Sequence, residues 1–149
     1  QQTRLTMWAL FAFASINICM LESLDKIKNT IKDFQSAKQF DDWLMAVGKS
    51  SGDNLRSICV EENHVRGCTT NVWIKGNKIK EKWYFGFYSN TMFTNGVVSI
   101  VCEGCNGLTA NQVAQIKYTD FDWLGGNLTL NKKKGLQAML NHIKNIAKT

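Results

Sequence analysis

The sequence lacks the short motifs that mark the common catalytic centres. It contains no serine–histidine–aspartate order, no nucleophile elbow, no phosphate-binding glycine loop and no HExxH zinc motif. Only two histidines are present, and His142 lies in a lysine-rich stretch, where we expect it to be solvated rather than catalytic. The cysteines are therefore the best candidates for covalent chemistry.

The sequence also has too few residues for two domains. Its 149 residues suit one domain and leave no room for a second sizeable core. No internal repeat, linker or low-complexity segment is apparent. With 44% hydrophobic and 20% charged residues, the composition is that of an ordinary globular protein.

Acidic residues are in the minority, and the net charge is +6. Residues 131–149 contain five lysines and no acid, which indicates either a solvated helix face or a binding patch, and we favour the solvated face. No nucleic-acid motif accompanies these lysines, because the aromatic residues do not form a basic, ring-studded strand. We therefore expect no nucleic-acid partner.

The five cysteines are an odd number, and their spacing does not resemble a secreted disulfide framework. A chain of this length does not need disulfides to fold. We therefore expect a reducing, cytoplasmic location in which at least one cysteine is available as a thiol.

Residues 5–21 form an apolar run that is too short and too interrupted by Ser15 and Asn17 to span a membrane. Three interpretations are open: a targeting segment, an extra helix, or translated sequence upstream of the true start. Arg4 and Ala12-Phe13-Ala14 suit a targeting segment, which would imply an organelle. We favour a start at Met20, which makes residues 1–19 an extension and residues 20–149 the domain. We expect no membrane partner.

The hydrophobic pattern predicts an α+β fold, with helices on one face of a small antiparallel sheet of about three strands. Two amphipathic helices come first, and Gly48 is placed to end the second. A first strand is predicted at residues 58–60, and Gly76-Asn77 is predicted to be the two-residue loop of a hairpin. Helices then return, with Asn90 or Thr91 as the first cap.

Two further helix starts can be predicted from capping residues. Thr109 and Gln112 have the spacing of a capping box, and Asn131 is placed to cap the last helix. The apolar positions of the last helix fall on one face, which we expect to be its inner face: Leu136, Met139, Leu140, Ile143 and Ala147.

Cys68 holds the most informative position of the five cysteines. It follows Gly67 and precedes the apolar residues Val72 to Ile74, which places it in or near a loop that enters the sheet. Gly67 permits a tight backbone path beside the sulfur. His64 and Arg66 lie close in sequence, and a positive neighbour favours the nucleophilic thiolate. From spacing alone, we slightly favour the alternative of a buried and inert cysteine.

Cys102 and Cys105 form a single CxxC pair, which is the spacing of a redox dithiol or of half a metal site. A zinc site would need two further ligands, and the sequence has no second CxxC and no paired histidine motif. We favour the simpler interpretation that the two cysteines lie at the frayed end of a helix.

The segment around Cys68 resembles the signature of the SufE/CsdE family of sulfur acceptors, in which a Gly-Cys pair is followed by a polar stretch and then Val-Trp. Here it reads Glu62-Asn63-His64-Val65-Arg66-Gly67-Cys68-Thr69-Thr70-Asn71-Val72-Trp73-Ile74. Residues 95–101, 107–113 and 128–139 are similar to the family's later helices, in the family's order. The resemblance extends from about residue 20 onward and implies a SufE/IscU-like fold.

The resemblance implies a function for Cys68. Proteins of this family bind a pyridoxal-phosphate (PLP) cysteine desulfurase, of the SufS or CsdA type, and take its persulfide sulfur onto their cysteine. They stimulate the desulfurase without being metabolic enzymes, and they relay the sulfur toward an iron–sulfur scaffold. We therefore expect Cys68 to carry a transient persulfide. PLP belongs to the partner, so we expect neither a resident cofactor nor a metal in this chain.

The same resemblance suggests supporting residues. His64, Arg66 and Gly67 belong to the loop that carries the cysteine, and we expect Val72 and Trp73 to shelter the persulfide. Lys132 stands where the family usually has an arginine, so it keeps the positive charge for a partner contact but not the bidentate geometry. A family acidic position appears here as Asn90, which removes one expected partner contact.

One alternative function remains open from the sequence. The family shares its fold with IscU-type cluster scaffolds, which use several cysteine ligands. A scaffold or metal-binding protein would use Cys68 together with Cys102 and Cys105.

Overall fold

The computed structural model describes residues 24–50, 56–125 and 128–148. The predicted extension at residues 1–19 lies outside these ranges. The described residues form an α+β fold, which confirms the predicted class. Its helices are α1 (residues 24–31), α2 (Ala37–Ser50), α3 (Met92–Cys105), α4 (Ala110–Gln115), α5 (Asp122–Gly125) and α6 (Leu130–Ala147). Its strands are β1 (Val72–Ile79) and β2 (Lys82–Ser89).

The two strands pair antiparallel as one hairpin, in a register that runs from Val72 opposite Ser89 to Ile79 opposite Lys82. The turn consists of Lys80 and Glu81, whose φ angles are 50° and 67°. Positive φ at both central residues is the conformation that matches the twist of a two-residue hairpin.

The prediction that Gly76-Asn77 forms this turn was wrong. Gly76 lies inside β1, opposite Phe85, and a Cβ atom there would collide with the side chain of Ile146 on α6. The glycine therefore serves close packing between the sheet and the last helix, and not chain reversal.

The predicted first strand at residues 58–60 was also wrong. Arg56–Ile58 form a 3₁₀ turn, and local bonds from Cys59 N to Arg56 O and from Val60 N to Ile58 O use the backbone groups that a strand would need. Within the described ranges the sheet therefore has two strands, and not about three. Isolated bridges join His64 to Trp73 and Trp83 to Leu108 at its edges.

Helix α3 is the centre of the core and packs against both α2 and β2. A Cβ atom at Gly96 would collide with the carbonyl group of Leu44, and one at Gly48 with the carbonyl group of Met92. The two glycines therefore allow α2 and α3 to approach backbone to backbone. Gly48 was predicted to end α2. It does not, because the helix continues to Ser50.

The capping predictions were mostly correct. Thr91 accepts a hydrogen bond from the backbone of Thr94, and Thr109 and Gln112 form the complete capping box. The prediction for the last helix was wrong by two residues, because α6 begins at Leu130 and Thr129 is its cap. Its predicted inner face is buried throughout.

Candidate functional site

Cys68 lies in a short loop between Val65 and β1. The backbone of Val65 donates to the carbonyl oxygen of Val72 at 2.8 Å, which closes the base of the loop. Gly67 adopts a φ of 99°, a conformation that L side chains rarely adopt, and so permits the tight turn before the cysteine. On the far side, the hydroxyls of Thr70 and Thr94 hydrogen-bond at 2.9 Å and tie the loop to α3.

The thiol of Cys68 points inward and is half-buried against α6. Its Sγ lies 3.5 Å from the carbonyl oxygen of Gly135, within reach of a weak S–H hydrogen bond. A Cβ atom at Gly135 would lie 3.6 Å from the same sulfur, so this glycine leaves space beside the thiol. A cavity of about 30 Å³ adjoins Cys68 and is lined by Thr69, Thr70, Phe93, Thr94, Asn131, Lys132, Gly135 and Met139.

Burial controls the protonation of this thiol. It raises the pKa of Cys68 to about 11, so the sulfur is protonated at neutral pH in this conformation. His64 and Arg66 had been expected to favour the thiolate. Instead, the guanidinium of exposed Arg66 lies 3.3 Å from the Glu61 carboxylate, and the His64 ring lies 5.5 Å from that of Trp73.

Two residues that we expected to shelter the sulfur are placed elsewhere. Val72 points into the hydrophobic core, and the Trp73 ring lies beside Tyr88 and His64 at the other face of β1. The apolar lining of the Cys68 cavity comes from Phe93 on α3 and Met139 on α6. Helix α3 therefore supplies part of the cavity wall, through Phe93 and Thr94.

Phe93, Gly135 and Met139 were not predicted as neighbours of Cys68, because each is distant from it along the chain. Gly135 did carry a signal. A glycine inside a helix costs about 1 kcal/mol relative to alanine, so its presence points to a packing or functional reason.

Lys132 lies at the rim of the same cavity. Its ammonium nitrogen is 3.5 Å from the centre of the Phe93 ring, in the geometry of a cation–π contact. The resemblance had suggested Lys132 as a partner contact, and the structure places it beside Cys68 as well.

A larger polar cavity of about 580 Å³ lies on the other side of Gly67, between the loop and the outer face of α6. It is lined by both histidines together with residues of both charges, including Glu61, Arg66 and Lys134. We expected His142 to be solvated, but the structure shows it partly buried. Its ring nitrogen Nε2 lies 3.2 Å from the carbonyl oxygen of Ile74, and burial lowers its pKa.

Cys102 and Cys105 do lie in the last turn of α3, as expected, but this helix end is not frayed. Both lie in the packed core, with exposures of 1% and 0%. Burial raises the pKa of Cys105 to about 12 and that of Cys102 well above its ordinary value. Across residues 24–50, 56–125 and 128–148, no three histidine, cysteine or carboxylate side chains are grouped as metal ligands, so Cys68 does not join this pair in a cluster.

The same three ranges contain no helix that is both long enough and apolar enough to cross a membrane.

Comparison with known proteins supplies the relatives of this chain. The model of the SufE family, described as an Fe-S metabolism associated domain, matches residues 25–147. An uncharacterized SufE-like protein of Rhizobium etli is 27% identical over 138 residues, which cover 86% of this chain and 91% of that protein. Another from Rhizobium meliloti is 27% identical over 137 residues, which cover 85% of this chain and 96% of that protein.

A solved structure supports the same fold. The solution structure of a hypothetical protein from Thermus thermophilus superposes with a TM-score of 0.67 at 15% identity, over 85% of this chain and 93% of that one. The family match covers most of the chain, including the loop that carries Cys68. The chain therefore belongs to the SufE family and acts in iron–sulfur metabolism.

Proposed function

We propose that this protein accepts persulfide sulfur on Cys68 from a PLP-dependent cysteine desulfurase, stimulates that enzyme, and relays the sulfur toward iron–sulfur cluster assembly. The observation that carries the proposal is the position of Cys68. The chain belongs to a family of iron–sulfur metabolism. Cys68 lies in a loop, and its thiol adjoins a small cavity. Cys102 and Cys105 are buried in the core, and Cys59 does not line this cavity.

The transfer is an exchange between sulfur atoms. The Cys68 thiolate attacks the outer sulfur of the donor's persulfide, and a new sulfur–sulfur bond forms on Cys68. The donor's sulfur–sulfur bond breaks, and the donor cysteine leaves as a thiolate. No oxidant or reductant is consumed, because the sulfane sulfur moves between two equivalent thiolates.

The reaction requires the loop to move. In the described conformation the thiol is inward and protonated, so it is a poor nucleophile. The loop is held by the Thr70–Thr94 hydrogen bond and by the contact between Cys68 and Gly135, both of which are weak enough to break on partner binding. An outward movement about Gly67 would expose the sulfur to the desulfurase and, after loading, to the downstream scaffold.

The surface around the loop supplies candidate partner contacts. Leu130 is 69% exposed and directly precedes Asn131 and Lys132 at the cavity rim. An exposed leucine beside a lysine suits a partner surface with an apolar pocket and a nearby acid. Lys132 thus remains part of the proposed docking surface.

Intact-mass measurement after incubation with a cysteine desulfurase, PLP and cysteine tests the proposal. We expect a gain of one sulfur atom, which proteolysis places on the peptide that contains Cys68. Cys68→Ser should lose both the gain and the stimulation of the desulfurase. Cys59→Ser is the matched control, since Cys59 is also partly accessible but does not line the cavity, and it should load normally. Full stimulation by Cys68→Ser would refute the proposal.

A further inference from the structure

The contact between Lys132 and Phe93 places an exposed positive charge beside the sulfur site. Both residues line the cavity beside Cys68, and the ammonium lies 3.5 Å from the centre of the Phe93 ring. A cation–π contact at an exposed site is weak, so a stronger partner for the ammonium can replace the ring.

A persulfide on Cys68 would supply that partner. A hydropersulfide is a stronger acid than its parent thiol, so in the same buried site it loses its proton far more readily than the Cys68 thiol does, and a positive neighbour favours its anion. The outer sulfur adds one heavy atom next to Sγ, and the cavity of about 30 Å³ has room for roughly one such atom. The outer sulfur would lie beside the apolar side chains of Phe93 and Met139, which line the cavity. These two apolar side chains offer no partner for the negative charge of the persulfide.

We propose that Lys132 leaves the Phe93 ring when Cys68 is loaded and pairs with the persulfide anion, so that it retains the outer sulfur inside the cavity. In the unloaded protein, Phe93 holds the ammonium aside and Cys68 stays a neutral thiol. In the loaded protein, the ion pair replaces the cation–π contact. Lys132 is thus a positioning residue, and this role rests on the proposed sulfur-carrier function of Cys68.

The test measures how long the sulfur is retained without any partner present. The loaded protein is separated from the desulfurase, exposed to cyanide, and followed by the release of thiocyanate. We expect Lys132→Met to release sulfur about two- to fivefold faster, which is the effect of losing one partly exposed ion pair. Lys132→Arg should restore slow release because it keeps the charge. Lys133→Met is the matched control and should behave as the wild type, since Lys133 does not line the cavity.

A second readout follows Lys132 directly. In the unloaded protein the ring current of Phe93 should shift the NMR signals of the Lys132 side-chain methylenes, and Phe93→Leu should abolish that shift. Loading Cys68 should move these signals toward the values of an unstacked lysine. If they do not move, or if Lys132→Met releases sulfur at the wild-type rate, the inference is wrong. Normal release combined with weaker desulfurase stimulation would make Lys132 a partner contact only.

Chemical loading separates this inference from the carrier function. Cys68 is converted to an aryl mixed disulfide in a Cys19→Ser, Cys59→Ser background, and hydrosulfide then displaces the aryl thiolate to leave the persulfide. The release assay and the NMR signals can be measured on this protein even if no desulfurase loads it. A failure of enzymatic loading would therefore count against the proposed function. Unchanged sulfur release and unchanged NMR signals in the chemically loaded protein would count against the role of Lys132.

Discussion

The Sγ atom of Cys68 lies 3.5 Å from the carbonyl oxygen of Gly135, across the junction of the loop and α6. A carbonyl oxygen accepts a hydrogen bond from a thiol but faces a thiolate with its own negative partial charge. The contact is therefore compatible with the neutral sulfur and disfavours the ionised one. It links the protonation of Cys68 to the position of its loop.

The first prediction is that folding stability falls at alkaline pH through Cys68. Its folded pKa of about 11 lies above the ordinary value of 9.0, so the folded protein holds the thiol proton more tightly than the unfolded chain does. The stability this group contributes is fully present below pH 9 and is lost as the pH rises toward 11. Urea unfolding of the wild type and of Cys68→Ala between about pH 8 and pH 10 measures it. Parallel pH profiles for the two proteins would contradict the prediction.

The second prediction concerns Gly67, whose φ of 99° is strained for any other residue. Gly67→Ala should destabilise the inward conformation of the loop by about 1–3 kcal/mol and make Cys68 react faster with iodoacetamide. Gly107→Ala is the matched control, because its φ of 79° is also positive and a Cβ atom there would meet open space. It should lose stability without any change in the reactivity of Cys68. Equal reactivity in the two variants would show that Gly67 does not restrain the loop.

The third prediction is that Cys102 and Cys105 do not relay sulfur. Both are buried in α3, and burial keeps their thiols protonated. The double substitution to alanine should leave the sulfur load on Cys68 unchanged, while packing losses lower the free energy of unfolding by about 1–3 kcal/mol. Intact mass and circular dichroism check the two effects. A folded double variant that no longer loads sulfur would make the pair a functional dithiol.

The fourth prediction places a partner at the cavity rim. Leu130→Asp should weaken stimulation of the desulfurase by roughly tenfold or more, since it puts a charge into an apolar contact. Met45→Asp is the control, because Met45 is also exposed and lies on α2, outside the cavity lining. Stimulation is measured against protein concentration, so that weaker binding is distinguished from slower turnover. Identical curves for the two variants would exclude Leu130 from the interface.

The fifth prediction concerns a buried polar side chain that joins three elements. Asn95 on α3 donates to the carbonyl oxygen of Gly48 at 2.8 Å and accepts from the backbone of Ser89 at 3.2 Å. Asn95→Leu leaves both backbone groups buried without this partner, and we expect a loss of about 2–4 kcal/mol in the free energy of unfolding. Asn90→Leu, on the exposed turn before α3, is the control and should change stability by less than about 0.5 kcal/mol. Thermal unfolding of both variants checks this.

Much of this protein is determined by local sequence. The apolar stripe of α6 and the capping box at Thr109 and Gln112 depend on residues three or four positions apart, so the pattern alone places them. The Gly67-Cys68 pair before an apolar strand likewise locates Cys68 in a loop. These features need no knowledge of the rest of the fold.

Other features were decided only by tertiary structure. Gly76 looked like a turn residue, yet its lack of a side chain serves packing against Ile146, which lies far away in sequence. The turn consists instead of Lys80 and Glu81, because the pairing of β1 with β2 outweighs the preference of those residues for negative φ. The surroundings of Cys68 have the same origin: Phe93 and Gly135 meet its loop only when α3 and α6 pack together. Burial by those helices, and not the nearby charges of His64 and Arg66, sets the pKa of the thiol.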